Sequence, residues 1–120
     1  MSTTENYETP KTDFFEKVAN PNFSLLKFKK ELDKYKTKPK LVSFAKKVFN
    51  RFNSKQAIEL LDLILDPTTD LLEHERIFIT LDKTIKDFNS YNLNNADKRI
   101  VTALRFALIR LEEICLLSNP

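Results

Sequence analysis

The sequence of 120 residues contains no glycine. Glycine is the residue that most readily supplies a positive φ in tight turns and that lets the backbone approach a phosphate closely. Its absence disfavours β-hairpins and excludes glycine-rich phosphate loops and dinucleotide-binding fingerprints. Because helices need glycine least, the composition favours an all-α fold in which asparagine and proline make the turns.

The chain also has only one cysteine, Cys115, and one histidine, His74. A single cysteine excludes a disulfide or a cysteine zinc site built within one chain. The first nine residues are polar, include Glu5 and Glu8, and do not have the pattern of a signal peptide. No apolar run approaches the length of a membrane span. These observations predict a soluble, cytoplasmic protein without a metal or a cofactor.

Apolar residues recur at helical spacing along most of the chain. They predict a compact, single-domain bundle of five to six helices over residues 12–120, after a disordered N-terminal tail at 1–11. The helices are expected at about 13–19, from 21 or 24 to 35, and at about 39–52, 54–66, 70–88 and 96–117. The predicted starts are Asp13 with Glu16, Pro21 or Ser24, Pro39, the cap Asn53-Ser54, and Asp70 with Glu73. The helix at 54–66 is apolar around most of its circumference, so it is expected to be the most buried.

Charge is strongly segregated along the chain. Between Lys27 and Lys55, eleven basic residues face only two acidic ones, Glu31 and Asp33, which leaves this segment with eleven minus two, or +9. The following stretch, 56–75, has six acidic residues and no lysine or arginine. On the second and third helices the basic residues recur opposite the apolar stripe, so neighbouring helices would join them into one surface. The predicted basic surface consists of Lys27, Lys30, Lys34, Lys38, Lys40, Lys46, Lys47 and Arg51.

A basic surface of this kind attracts phosphate and makes binding salt-dependent. It is almost entirely lysine, whereas arginine is the usual bidentate reader of guanine, so contacts to phosphate or to RNA shape are favoured over base-specific reading of DNA. The sequence therefore predicts a small non-enzymatic binding protein that engages nucleic acid, RNA more readily than DNA, or an acidic surface of a nucleic-acid-handling enzyme. The alternative is a solvated lysine-rich face that only confers solubility.

The last helix provides a second candidate surface. Phe106 and Ile109 lie off its inner apolar stripe, which predicts an apolar interface for a homodimer or for another protein. A helical protein–protein interaction module is therefore the alternative function.

In size and composition the chain resembles the small inhibitor proteins that phages encode against host enzymes, including anti-CRISPR proteins. It is short, helical, free of glycine and rich in lysine and asparagine. The resemblance implies that the basic surface would block or modulate an enzyme that handles nucleic acid.

No catalytic residue is predicted. His74 and Cys115 fall on the inner stripes of the fifth and sixth helices, where a buried, hydrogen-bonded histidine and a buried cysteine are expected. The acidic residues Glu59, Asp62 and Asp66 share one side of the fourth helix. Without a second carboxylate motif they are expected to be solvated or paired with lysines rather than to bind a metal.

Overall fold

A computed structural model describes residues 14–117 as α-helices joined by short turns, without a strand in this range. The predicted tail at 1–11 and the predicted cap Asp13 lie outside these residues. The all-α, single-domain bundle is confirmed. The six helices of the described range are α1 (Phe14–Ala19), α2 (Leu25–Leu32), α3 (Pro39–Arg51), α4 (Lys55–Leu65), α5 (Leu71–Phe88) and α6 (Asn95–Leu117).

Several helices begin where local sequence provides a cap. The Ser24 hydroxyl accepts a hydrogen bond from the Lys27 backbone N–H at 3.2 Å, and Pro39 is the first residue of α3. Ahead of α5, the Asp70 carboxylate accepts from the Glu73 N–H at 2.9 Å, and the Glu73 carboxylate accepts from the Asp70 N–H at 3.4 Å. This reciprocal pair is the predicted capping box, which occupies two N–H groups that have no partner within the helix.

Asparagine takes the place of glycine in the turn between α3 and α4. Asn53 is the one residue of the described range with a positive φ, 59°. The Ser54 N–H donates to the Phe49 carbonyl at 2.9 Å, and the Asn53 N–H donates to the Asn50 carbonyl at 3.1 Å. These two bonds form a Schellman motif, which needs a left-handed residue at this position. Ser54 is the N-cap residue of α4, as predicted, but its side chain makes no cap hydrogen bond.

Replacing Asn53 with alanine is expected to lower the free energy of unfolding by about 1 kcal/mol, because the left-handed conformation is unfavourable for a residue with a plain Cβ. Asn53→Gly is the matched control and should be as stable as the parent protein or more so. Urea unfolding of the three proteins measures the difference. Equal stability of the alanine and glycine variants would contradict this explanation of the turn.

The last helix, α6, is the centre of the bundle. It packs against α1, α2, α3 and α5, and ten of its residues are buried. In α4 only Ala57, Leu61 and Ile64 are buried, while Leu63 and Leu65 are 42% and 40% exposed. The prediction that the helix at 54–66 is the most buried is therefore wrong. An apolar circumference does not say how many neighbours a helix has, and α4 packs mainly against α3 and α5.

Two arginines of α6 hold the N-terminal helices in place. Arg99 donates from Nε to the Val18 carbonyl at 2.9 Å and from Nη2 to the Phe23 carbonyl. Arg110 is buried and donates from Nε and Nη2 to the Tyr35 carbonyl at 3.1 and 2.7 Å. These carbonyls lie at the end of α1, just before α2 and just after α2. The position of α2 on the bundle therefore depends on both arginines.

Aromatic rings join the first three helices. The Phe14 ring centre lies 5.3 Å from that of Phe28 and 5.8 Å from that of Phe44, and the last two are 5.9 Å apart. All three pairs meet edge to face, which is a favourable geometry for aromatic rings. The rings are buried, so they contribute to the core rather than to a stacking platform for bases. No helix within 14–117 is both long enough and apolar enough to cross a membrane.

Candidate functional site

The structure divides the predicted basic surface into two groups. Lys27 and Lys30 lie on the exposed side of α2, and Lys34 lies in the turn that follows. Within residues 14–117 their ammonium groups have no hydrogen bond or ion pair. Lys40, at the start of α3, is also assigned to this group. Its Nζ lies 6.0 Å from the ring centre of Tyr35, which is the residue after Lys34. We call Lys27, Lys30, Lys34 and Lys40 the lysine surface.

Other members of the predicted surface are held by acidic or aromatic groups. Lys46 forms an ion pair with Asp62, which lies on the acidic side of α4. Arg51 Nε lies 2.7 Å from a carboxylate oxygen of Asp97, and its guanidinium lies 5.9 Å from the centre of the Phe15 ring. Their charges are partly offset within the protein, so they contribute less to the attraction of an external anion.

The two remaining members lie apart from the lysine surface. Lys38 is half-buried, and its Nζ donates to the Ile64 carbonyl at 3.1 Å near the end of α4. Lys47 borders a shallow concavity on α3 together with Phe15 and Arg51. Helix α2 also ends at Leu32 rather than at 35, so the predicted continuation of its basic side to Lys38 is wrong. Four of the eight predicted basic residues, those of the lysine surface, are thus exposed and have no hydrogen bond or ion pair within 14–117.

Comparison with protein-family models, curated proteins and solved structures gave no match.

A second surface is a groove between α5 and α6. Two concavities of about 420 and 230 Å³ lie end to end and share Phe78 and Glu112 in their walls. The rim residues Leu72, Ile79, Ile109 and Leu116 are between 53% and 59% exposed. We call this feature the α5–α6 groove. Contiguous exposed apolar surface of this kind marks an interaction site more often than a solvated face.

The sequence pointed to only part of this groove. Ile109 is 54% exposed on its rim, as its position off the inner stripe suggested. Phe106 instead packs against the core, and the Lys29 ammonium lies 5.3 Å from its ring centre. Ile109 and Phe106 both border a small depression of about 70 Å³ beside α2. The signal that was missed is on α5, where Leu72 and Ile79 also lie off the inner stripe, two helical turns apart.

Two carboxylates face each other across this groove. Glu75 comes from α5 and Glu112 from α6, and both line the larger concavity. Neither has an ion pair or hydrogen bond from its side chain within 14–117. Partial burial raises the pKa of Glu112, and the negative charges of Glu75 and Asp82 raise it further. Asp82, farther along the groove, has a cationic neighbour in Lys86 at 3.4 Å.

His74 and Cys115 lie beneath the same end of the groove. His74 is 4% exposed, and neither of its ring nitrogens has a hydrogen-bond partner within the described residues. Its predicted burial is confirmed. The Ile64 backbone is near enough to raise its pKa as a hydrogen-bond partner would, although no hydrogen bond of good geometry joins the two residues. Burial lowers the pKa of His74, and the positive charge of Lys38 lowers it further, so the imidazole is neutral at pH 7. Burial also raises the pKa of the Cys115 thiol, which keeps it protonated.

These two residues meet beside Glu75 and Glu112, which is the convergence that an enzyme would need. Their chemistry is nevertheless blocked in this arrangement. The imidazole nitrogens are shielded from solvent, and the protonated thiol is a poor nucleophile. A general base has to reach the proton that it removes, and buried nitrogens do not. No group of three or more potential metal ligands is present within 14–117.

Proposed function

We propose that this protein binds nucleic acid, RNA in particular, by contacts of its lysine surface with phosphates. The observation that carries the proposal is that Lys27, Lys30 and Lys34 form an exposed row without a partner inside the described part of the molecule. Ammonium groups that are not engaged by carboxylates are available to replace the counterions of a polyanion.

The composition of the row sets the type of recognition. Lysine acts as a point charge with three donors, which suits phosphate oxygens but does not provide the planar fork that reads a base edge. Phe28 and Phe44 are buried in the core, and Phe23 and Phe106 pack against it partly buried, so no fully exposed ring is available there to stack on bases. Binding through these lysines is therefore governed by charge and shape, with little dependence on base sequence.

The proposal is tested with polyuridylate as an unstructured RNA and a double variant, Lys30→Gln with Lys34→Gln. Removing two phosphate contacts should reduce the slope of log K against log salt by about 1.4, since each contact to a single strand contributes about 0.7. The matched control is Lys83→Gln with Lys98→Gln, which removes the same charge from exposed positions on α5 and α6. Its slope should equal that of the parent protein.

Two results would overturn the proposal. One is the absence of polyuridylate binding at low salt, and the other is an equal loss of slope in both double variants. A third result would instead identify the surface as an inhibitor's contact with a nucleic-acid-handling protein. In that case an acidic enzyme is recovered with the parent protein from nuclease-treated host extract, and it is not recovered with the Lys30 and Lys34 variant.

A further inference from the structure

The α5–α6 groove combines apolar walls with a charge arrangement that is unfavourable in the isolated protein. Its walls are apolar at Leu72, Ile79 and Leu116, all of which are more than half exposed. Between them, Glu75 and Glu112 line the larger concavity from opposite helices, and no lysine or arginine of the described residues lines it with them. Like charges that share a partly desolvated site repel each other, which is why the pKa of Glu112 is raised. A cation placed between the two carboxylates would relieve this repulsion.

The shape of the groove favours a helix as the occupant. It runs along α5 from Leu71 to Ile85 and along α6 from Leu116 back to Arg105, so the two helices flank it in opposite directions. Fourteen residues of helix rise about 21 Å, which is the length of about four helical turns. A partner helix that presents apolar residues at i, i+3, i+4 and i+7 would fill such a groove with one face.

We propose that the α5–α6 groove binds a basic amphipathic helix of another protein, with a lysine or arginine of that helix lying between Glu75 and Glu112. The apolar face of the partner covers Leu72, Ile79 and Ile109. This interaction does not depend on the lysine surface, since none of the four lysines lines the groove.

A second copy of this chain is a poorer fit to the groove. Symmetric pairing places the same surface of each copy against the other. The two copies together would bring six groove carboxylates, Glu75, Asp82 and Glu112 of each, against two arginines, Arg105 of each. Within one copy, Arg105 lines the smaller concavity with Asp82 and Glu112 but forms no ion pair with them within 14–117, and Asp82 is paired with Lys86. Charge complementarity therefore favours a cationic partner over self-association.

The test uses a designed helical peptide of about 18 residues with leucines on one face and lysines on the other, and fluorescence anisotropy as the readout. A second peptide keeps the leucines and replaces the lysines with glutamates. The protein is expected to bind the basic peptide at least about tenfold more tightly than the acidic one. Ile79→Gln with Ile109→Gln should weaken binding of the basic peptide by about tenfold or more, because it removes two apolar anchors.

Matched variants separate the two contributions. Leu26→Gln changes an apolar residue that is 65% exposed on α2, outside the groove, and should leave the affinity unchanged. Glu75→Gln should weaken binding of the basic peptide at low salt but not at high salt, where the charge interaction is screened. Glu59→Gln, on the exposed side of α4, should leave the affinity unchanged at both salt concentrations. Circular dichroism of each variant establishes that its helical content is retained.

Three outcomes would overturn this inference. The first is equal affinity for the basic and acidic peptides. The second is an affinity that Ile79→Gln and Ile109→Gln leave unchanged. The third is a dimer in sedimentation that Ile79→Gln dissociates, which would show that a second copy occupies the groove. RNA binding by the Ile79 and Ile109 variant should stay at the parental level, so failure of this inference is distinguishable from failure of the proposed function.

Discussion

Replacing Arg110 with leucine is expected to lower the free energy of unfolding by about 3 kcal/mol. The guanidinium is buried and donates two hydrogen bonds to the Tyr35 carbonyl, at 3.1 and 2.7 Å, and a third to Glu113 at 3.1 Å. Leucine keeps the helix propensity and much of the volume but leaves the Tyr35 carbonyl without its donor. Hydrogen bonds from a charged group to a buried acceptor are among the stronger ones in proteins.

The effect should concentrate at the end of α2, because Tyr35 follows that helix. Hydrogen exchange is expected to show faster exchange at the amides of 28–35 than elsewhere in the bundle. Arg76→Leu is the matched control, because it removes the same charge from an exposed position on α5. Its stability should lie within about 0.5 kcal/mol of the parent protein. Similar destabilisation by Arg76→Leu would show that net charge, rather than the bonds of Arg110, is responsible.

The features that were predicted correctly are mostly those that depend on residues close together in the sequence. Ser24 was one of two possible starts of the second helix, and the structure shows it as the N-cap of α2. The start of α3 at Pro39 and the Asp70–Glu73 box depend on residues within one turn of each other. The same holds for Asn53, since the absence of glycine leaves asparagine as the best residue for a left-handed turn. Periodicity also placed the sixth helix and its inner stripe correctly, because its apolar spacing is regular over six turns.

Contacts between distant residues could not be predicted in this way. Lys38 and Lys46 look like surface lysines in their own helices, yet they contact Ile64 and Asp62 on α4. Arg110 lies on the inner side of α6, where the spacing predicted only apolar residues. The spacing of residues in one helix predicts which side of the helix each residue occupies. It does not predict which carbonyl or carboxylate of a neighbouring helix lies next to that side. The predicted basic surface is therefore only partly available. Its members without a hydrogen bond or ion pair within 14–117 are Lys27, Lys30, Lys34 and Lys40.

The α5–α6 groove also could not be predicted from the pattern of either helix alone. Ile109 was recognisable in α6, but its importance depends on Leu72 and Ile79, which come from α5. Each helix alone shows a few apolar residues off its main stripe, which is common in soluble proteins. Only the antiparallel packing of α5 on α6 aligns these residues along one groove and places Glu75 opposite Glu112. The fold thus presents two separate surfaces, a cationic one at α2 and the start of α3 and an apolar one with carboxylates between α5 and α6.

His74→Phe is expected to raise the free energy of unfolding by about 1–2 kcal/mol at pH 7, because it removes two buried nitrogens that have no partner. Its effect should be larger at acidic pH. Burial, followed by the charge of Lys38, lowers the pKa of His74 in the folded protein below its ordinary value of 6.5. The opposing influence of the Ile64 backbone, and then of Asp70 and Glu73, is smaller. Below that value the unfolded chain binds a proton that the folded protein does not.

The sign of the pH dependence follows from this difference. Between the lowered folded pKa and about 6.5, the parent protein should lose stability as the pH falls, by at most about 1.4 kcal/mol per pH unit from this group. His74→Phe should abolish that slope. Lys38→Met should only reduce it, because it removes the second cause of the lowered pKa and leaves burial in place. Urea unfolding between about pH 5.5 and 7.5 measures the slopes and stays above the range in which most carboxylates titrate.

The imidazole can also be followed directly, since His74 is the only histidine in the chain. Its ring signals in the NMR spectrum of the folded protein should show a pKa below 6.5, and that pKa should rise in Lys38→Met. A titration at or above 6.5 in the parent protein, together with an unchanged slope in His74→Phe, would mean that the nitrogens find partners in solution. A neutral His74 beneath Glu75 and Glu112 also adds no positive charge to the wall of the groove, so the imidazole does not offset the negative charge of those two carboxylates.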